Sequence, residues 1–229
     1  MYGIRAMRKL SQNFLLDPRL AKRLGAVGAL GRGRAAQRPP GGQPAVQRGQ
    51  PAVGAVAAAD LAAGGPFRRG RVPLALTFQL EVAQRINAPI LDPQRCRLSV
   101  LCQAYCTAQH KLTLNGSSFV PPAEVDVGLV RLVPRKEPMI QQPFDLVEKV
   151  VNCLFNGRQK VLTNGVRNLF PRDRQDLVHR LIGLAQVDPL TRIIQLSVQE
   201  MSRICQVYEE LCAQEPQLRQ YNFRLGGGG

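Results

Sequence analysis

Apolar positions divide the chain into stretches of different character. Near the amino end, Asp17 can cap a helix, Pro18 suits its first turn, and Leu20 and Leu24 fall on one face, which predicts a short helix over 17–24. From Gly25 to about Gly64 neither a period of two nor one of 3.6 persists. That block is almost only Gly, Ala, Pro, Val, Gln and Arg, with one acid, Asp60. It cannot bury enough apolar surface to offset backbone ordering, so it is expected to be disordered. Pattern returns near Pro66. "VPLALTFQ" (72–79) reads as a buried strand and "LEVAQRI" as the helix after it. "RLSVLCQAYCTAQ" (97–109) places Leu98, Leu101, Cys102 and Tyr105 on one helical face. "KLTLNGSSF" predicts a short strand with a turn at Asn115-Gly116, and "VDVGLVRLV" (125–133) a strand with partial alternation.

From Phe144 onward the period is helical. Phe144, Val147, Val150, Val151 and Leu154 make one stripe. Leu177, Val178, Leu181, Ile182 and Ala185 make a second, and Val198, Met201, Cys205, Tyr208 and Cys212 a third. Ser197 and Glu200 have capping-box spacing, with Leu196 and Met201 placed as a hydrophobic staple. Strands alternating with helices predict an α/β domain with about three visible strands, followed by an all-helical C-terminal module. The expected organisation is an opening segment at 1–24, a low-complexity segment at 25–64, the remainder of the α/β domain at 65–140 and the helical domain at 143–225.

Composition changes this picture in two ways. The 229 residues include no Trp, so the core is built with little aromatic mass. Lys and Arg number 31 against 16 Asp and Glu, a formal charge of +15. That balance favours a polyanionic partner, nucleic acid first and an anionic membrane surface second. No apolar run reaches the length that spans a bilayer. The first nine residues carry Arg5, Arg8 and Lys9, and no acid precedes Asp17, a pattern compatible with organelle targeting. The six cysteines (96, 102, 106, 153, 205, 212) contain no CxxC pair, and His110 and His179 are the only histidines. No zinc set forms from them, and buried reduced thiols are expected.

"LSQNFLLD" (10–17) resembles the opening motif of the rRNA adenine dimethyltransferases, which use S-adenosyl-L-methionine to modify the 6-amino group of two adjacent adenines in small-subunit rRNA. "GPFRRGRVPLALTFQLEVAQRI" (65–86) is similar to the strand and helix of that family. "RLSVLCQAYC" (97–106) and "SSFVPPAEVDVGLVRLVP" (117–134) resemble the segments that close its sheet. "QQPFDLVEKVVNCLFNGRQKVLTNGVRNLFP" (141–171) and "EPQLRQYNFR" (215–224) most resemble the mitochondrial branch, whose members also carry a transcription-factor name. The resemblance covers roughly 1–24 and 65–225. It implies an incomplete Rossmann-like methyltransferase sheet, the mitochondrial matrix as location, S-adenosyl-L-methionine as cofactor and small-subunit rRNA as partner, with the mitochondrial transcription machinery second and no membrane. It places Gln12, Asn13 and Leu15 at the lip of the donor site.

The departure from the family lies between Leu24 and Gly65. There the family carries a Gly-rich turn against the donor, an acid for the ribose hydroxyls and an Asn-Leu-Pro-aromatic loop that holds the flipped adenine. This chain has the Gly- and Ala-rich block instead. Gly31-Arg32-Gly33-Arg34-Ala35-Ala36 formally fits G-x-G-x-x-A, but no β-branched strand precedes it and Pro39-Pro40 closes any helix after it. "NLFP" (168–171) has the wrong order and lies in the helical module. No catalytic residue is recognisable. The enzyme reading, an rRNA adenine N6-dimethyltransferase, is therefore expected to be inactive in this chain. The alternative is a non-catalytic basic protein that binds RNA or assists mitochondrial ribosome assembly or transcription. Its expected RNA-binding residues are Arg158, Lys160, Arg167, Arg172, Arg174 and Arg180, interleaved with apolar positions.

Overall fold

Strands at Leu74–Gln79, Cys106–Leu114 and Val127–Pro134, and helices from Phe144 onward, belong to two compact units. The computed structural model describes residues 14–15, 73–120 and 122–224. The expected helix at 17–24 and the block 25–64 lie outside them. Of the described residues, one unit comprises 14–15, 73–87, 106–120 and 122–136, the other 88–105 and 137–224.

The sheet unit contains β1 (Phe14–Leu15), β2 (Leu74–Gln79), α1 (Leu80–Asn87), β3 (Cys106–Leu114), β4 (Phe119–Val120) and β5 (Val127–Pro134). Three strands form one sheet in the order β2-β5-β3, with β5 antiparallel to both neighbours. β1 pairs separately with β4, Phe14 opposite Val120 and Leu15 opposite Phe119. Central β5 buries Leu129, Val130 and Leu132. β2, expected to be buried, is an edge strand: none of its residues is fully buried, and among the described residues its outer edge has no partner. β3 is continuous except for an irregularity between His110 and Leu112, where Lys111 is the extra residue of a bulge.

α1 follows β2 without a loop and lies on the sheet through Ala83 and Ile86, both fully buried. Close approach is possible because β5 offers Gly128 beneath it. A Cβ at Gly128 would stand 2.4 Å from the Cβ of Ala83. The turn after β3 is equally tight. Asp126 Oδ1 accepts the Gly116 N–H at 3.0 Å, and a Cβ at Gly116 would meet the Ala123 carbonyl oxygen at 2.3 Å.

The helical unit contains α2 (Arg97–Tyr105), α3 (Phe144–Leu154), α4 (Leu162–Val166), α5 (Asp176–Ala185), α6 (Val198–Gln214) and the short α7 (Gln217–Gln220). The three stripes read from the sequence form its core, with Val147, Val150, Val151, Leu154, Leu181, Ala185, Met201, Cys205 and Tyr208 wholly buried. α2 buries Val100 and Ala104 beside the expected Leu98, Leu101, Cys102 and Tyr105, so it has almost no polar face. It ends at Tyr105, earlier than the expected Gln109, because Cys106–Gln109 pair with β5 instead. The capping box is present: Ser197 Oγ accepts from Glu200 N–H at 3.1 Å, and Glu200 Oε2 accepts from Ser197 N–H at 2.8 Å. α7 is held by two donors on one carbonyl. Lys149 Nζ and the buried Tyr208 hydroxyl reach Leu218 O at 2.7 and 2.9 Å.

None of the six cysteines is in a disulfide; Cys96 is half-exposed and the other five are buried. Burial pushes the Cys153 thiol up from 9.0 to about 11, and raises Cys205 and Cys212 as well. A thiol raised in the folded state supports folding fully below its ordinary value and loses that contribution as pH rises through the raised one. Stability should therefore fall between pH 9.0 and about 11, the Cys153 interval, as followed by denaturant midpoints. At neutral pH a thiol-specific disulfide reagent should modify Cys96 alone in the native protein and all six cysteines after unfolding. Rapid native modification of the buried thiols contradicts this packing.

Candidate nucleic-acid interface

The helical unit brings distant basic residues together through a short backbone ladder. Val161 forms an antiparallel bridge with Arg192. Around it, Leu162 N–H donates to Thr191 O at 2.8 Å, Ile193 N–H to Lys160 O at 3.1 Å and Ile194 N–H to Arg158 O at 3.1 Å. Ile193 and Ile194 are buried and pin the ladder to the core, while Arg158, Lys160 and Arg192 are exposed. The stem of Lys160 lies over Gly157, where a Cβ would come within 3.3 Å of its Cγ. None of the three cations has an acidic partner among the described residues.

The remaining expected RNA-binding residues are placed differently. Arg167 follows α4 and, among the described residues, reaches Asn164 Oδ1 at 3.5 Å, and Arg172 is exposed on the turn before α5. Arg174 is half-buried and forms ion pairs with Glu215 and with Asp176, so much of its charge is already matched. Arg180 extends toward Gln214 at 3.5 Å. Arg158 and Lys160 thus share a ladder, whereas Arg174 and Arg180 are tied to the end of α6. Arg192 is not visible from the sequence, because only the bridge brings it beside residues about thirty positions earlier. Other arginines serve the fold: Arg203 Nε donates to Ala185 O at 2.8 Å, closing the end of α5, and Arg219 pairs with Asp145 at 2.7 Å.

Of the expected donor-site residues, Gln12 and Asn13 lie outside the described residues. Leu15 is described, and its backbone pairs with Phe119. Of the three expected donor-site residues, the structure thus describes Leu15 alone, and by its backbone pairing. The buried hydroxyls of Tyr105 and Tyr208 are raised by desolvation and stay protonated near neutrality. Among the described residues no cluster of His, Cys, Asp and Glu could hold a metal ion, and no helix is long and apolar enough to cross a membrane.

Comparison with known proteins places this architecture. The family described as ribosomal RNA adenine dimethylase matches residues 67–210, more than half of the chain. The chain is 47% identical over 161 residues to the human protein named dimethyladenosine transferase 1, mitochondrial, covering 70% of this chain and 46% of that one. It is 45% identical over 161 residues to the Xenopus laevis protein of the same name, covering 70% and 47%. With the Drosophila melanogaster protein it shares 43% over 167 residues, covering 72% and 51%. The chain thus spans about half the length of the curated relatives it matches. Among solved structures, a dimethyladenosine transferase from Plasmodium falciparum superposes with a TM-score of 0.53 at 20% identity, covering 60% of this chain and 58% of that one, a likeness of fold. The expected class, α/β with a partial Rossmann-like methyltransferase sheet and a helical module, is the one observed. On the match of residues 67–210 and these relatives, the chain belongs to the ribosomal RNA adenine dimethylase family.

Proposed function

We propose that this chain is an RNA-binding protein of the mitochondrial matrix that docks on small-subunit rRNA through the basic face of its helical unit and does not itself transfer methyl groups. The observation that carries the binding half is the ladder that joins the backbone at Arg158–Leu162 to Thr191–Ile194 and leaves Arg158, Lys160 and Arg192 exposed, without carboxylate partners among the described residues, in a chain of net charge +15. Cations left unneutralised by the protein release counterions from a phosphate backbone on binding. The family and the mitochondrial names of the relatives support the choice of rRNA and of compartment. The second half rests on the segment 25–64, whose sequence lacks the family's donor turn, ribose-binding acid and adenine-holding loop. The enzyme reading is favoured by the transferase names of those same relatives and is separated from this one by methyl transfer. A transcription accessory role rests on the name of the mitochondrial branch alone.

RNA affinity should fall steeply with salt. Neutralising Arg158, Lys160 and Arg192 to glutamine should reduce the log–log salt slope by about one for each phosphate that the variant no longer neutralises. Neutralising Arg174 should matter less, since its ion pairs with Glu215 and Asp176 already offset its charge. Binding curves across a salt series test this, and an unchanged slope in the triple variant rejects this face as the binding surface.

A further inference from the structure

The turn Pro89–Asp92 has a feature that neither the family relationship nor the charge explains. Asp92 N–H donates to Pro89 O at 3.3 Å, which makes Ile90 and Leu91 the two central residues. Leu91 has φ 70°, the left-handed conformation that turns of this kind normally assign to glycine. A bulky side chain is disfavoured there. Yet Leu91 is 63% exposed and Ile90 45% exposed, so neither gains much from the core.

The strain is held in place from below. Arg95 is only 1% exposed and is the largest fully buried side chain among the described residues. Its Nη1 donates to Ala88 O at 3.2 Å and to Gln103 Oε1 at 3.0 Å, and its Nη2 to Leu196 O at 3.0 Å. Gln103 Nε2 donates to the same Ala88 carbonyl at 2.8 Å. Leu91 N–H reaches Ile194 O at 3.3 Å. A strained backbone persists only where its surroundings over-determine it, and strain of this kind concentrates at binding sites.

The position of this knuckle names its partner. Ile194 accepts from Leu91 through its carbonyl and donates to Arg158 O through its N–H, so the knuckle and the basic ladder meet at one residue. The two carboxylates nearest along the chain each accept one backbone N–H, Asp92 Oδ1 from Gln94 at 2.6 Å and Asp188 Oδ1 from Leu190 at 2.9 Å, and neither forms an ion pair with these cations among the described residues. Rigid exposed apolar side chains beside unmatched cations suit an unstacked base with its flanking phosphates. The apolar tip covers the base face, the cations hold the phosphates, and a preformed turn loses little entropy on binding.

We propose that Ile90 and Leu91 form a fixed wedge that packs against an unpaired base of RNA while Arg158, Lys160 and Arg192 hold the adjoining phosphates. This rests on the RNA-binding reading above and adds to it a preference for unpaired over paired RNA. The test uses the full chain, a labelled small-subunit rRNA hairpin with an unpaired adenine loop, and a blunt duplex of equal length. Leu91→Gly removes the apolar tip and also suits φ 70°, so its denaturation midpoint should equal or exceed that of the wild type. Its hairpin affinity should fall about tenfold, as when one base is left without a packing partner, with duplex affinity unchanged. Ile90→Ser should act in the same direction. Wild-type protein that binds neither RNA overturns the RNA reading and this wedge together. Wild-type binding that Leu91→Gly leaves intact overturns the wedge alone. Leu91-dependent binding to anionic phospholipid vesicles in preference to the hairpin also overturns it.

Discussion

Gly128→Ala should destabilise the sheet unit by about 3 kcal/mol, at the upper end of overpacking costs, because the clash it creates cannot be relieved by a rotamer change. The added Cβ would stand 2.4 Å from the Cβ of Ala83, and each atom is fixed directly to backbone. His110 Nε2 lies at 3.2 Å on the same side, so relief must come from moving α1 off β5. Movement of that helix uncovers Ala83 and Ile86, both fully buried. Ala83→Gly in the same chain removes the opposing methyl at a helix cost of about 1 kcal/mol and should restore much of the loss. Urea unfolding of the two single variants and the double variant measures the coupling. A Gly128→Ala protein as stable as wild type contradicts the packing of α1 on the sheet.

What the sequence shows of this fold depends on how local each determinant is. The stripes of α3, α5 and α6 are legible because a 3.6 period over several turns leaves few other ways to bury Val150, Leu181 or Tyr208. The capping box at Ser197 and Glu200 is legible for the same reason, since both partners lie within one turn. Cys106–Gln109 read as helix because they continue the apolar spacing of α2. Only pairing with β5, more than twenty residues on, makes them strand. β2 reads as buried because "LALTF" is apolar, yet burial of a strand depends on its neighbours and β2 has one among the described residues.

The candidate interface divides along the same line. Arg158 and Lys160 can be picked out by charge, but Arg192 joins them only through the bridge at Val161. No local signal marks Arg174 as a partner of Glu215, 41 residues away. Leu91 at positive φ is also invisible, since leucine in a turn after Pro89 carries no left-handed signature of the kind glycine or asparagine would. No local pattern marks Arg95 as buried, and burial among three carbonyl-type acceptors makes it a structural clamp for that turn.

The largest functional effect expected is the loss of methyl transfer. Attack of an adenine amino nitrogen on a donor methyl depends on positioning, and a site loosened by about 1 Å loses on the order of 100-fold in rate. Leu15, expected at the donor-site lip, lies in a two-residue strand paired with β4, and Asn13 is adjacent to that strand in sequence. The proposed inactivity rests on reading 25–64, almost only Gly, Ala, Pro, Val, Gln and Arg with Asp60 as its one acid, as a segment without the family's donor turn, ribose acid and adenine loop. Exchange of 25–64 for a family-like segment should restore both donor binding and activity. The decisive measurement is incorporation of labelled methyl from S-adenosyl-L-methionine into a small-subunit rRNA hairpin held saturated with this chain. The expected result is RNA binding with no incorporation above the protein-free control. Incorporation by the unaltered chain that disappears when Asn13 is replaced would contradict it, and would place a working donor pocket in the Gly- and Ala-rich block.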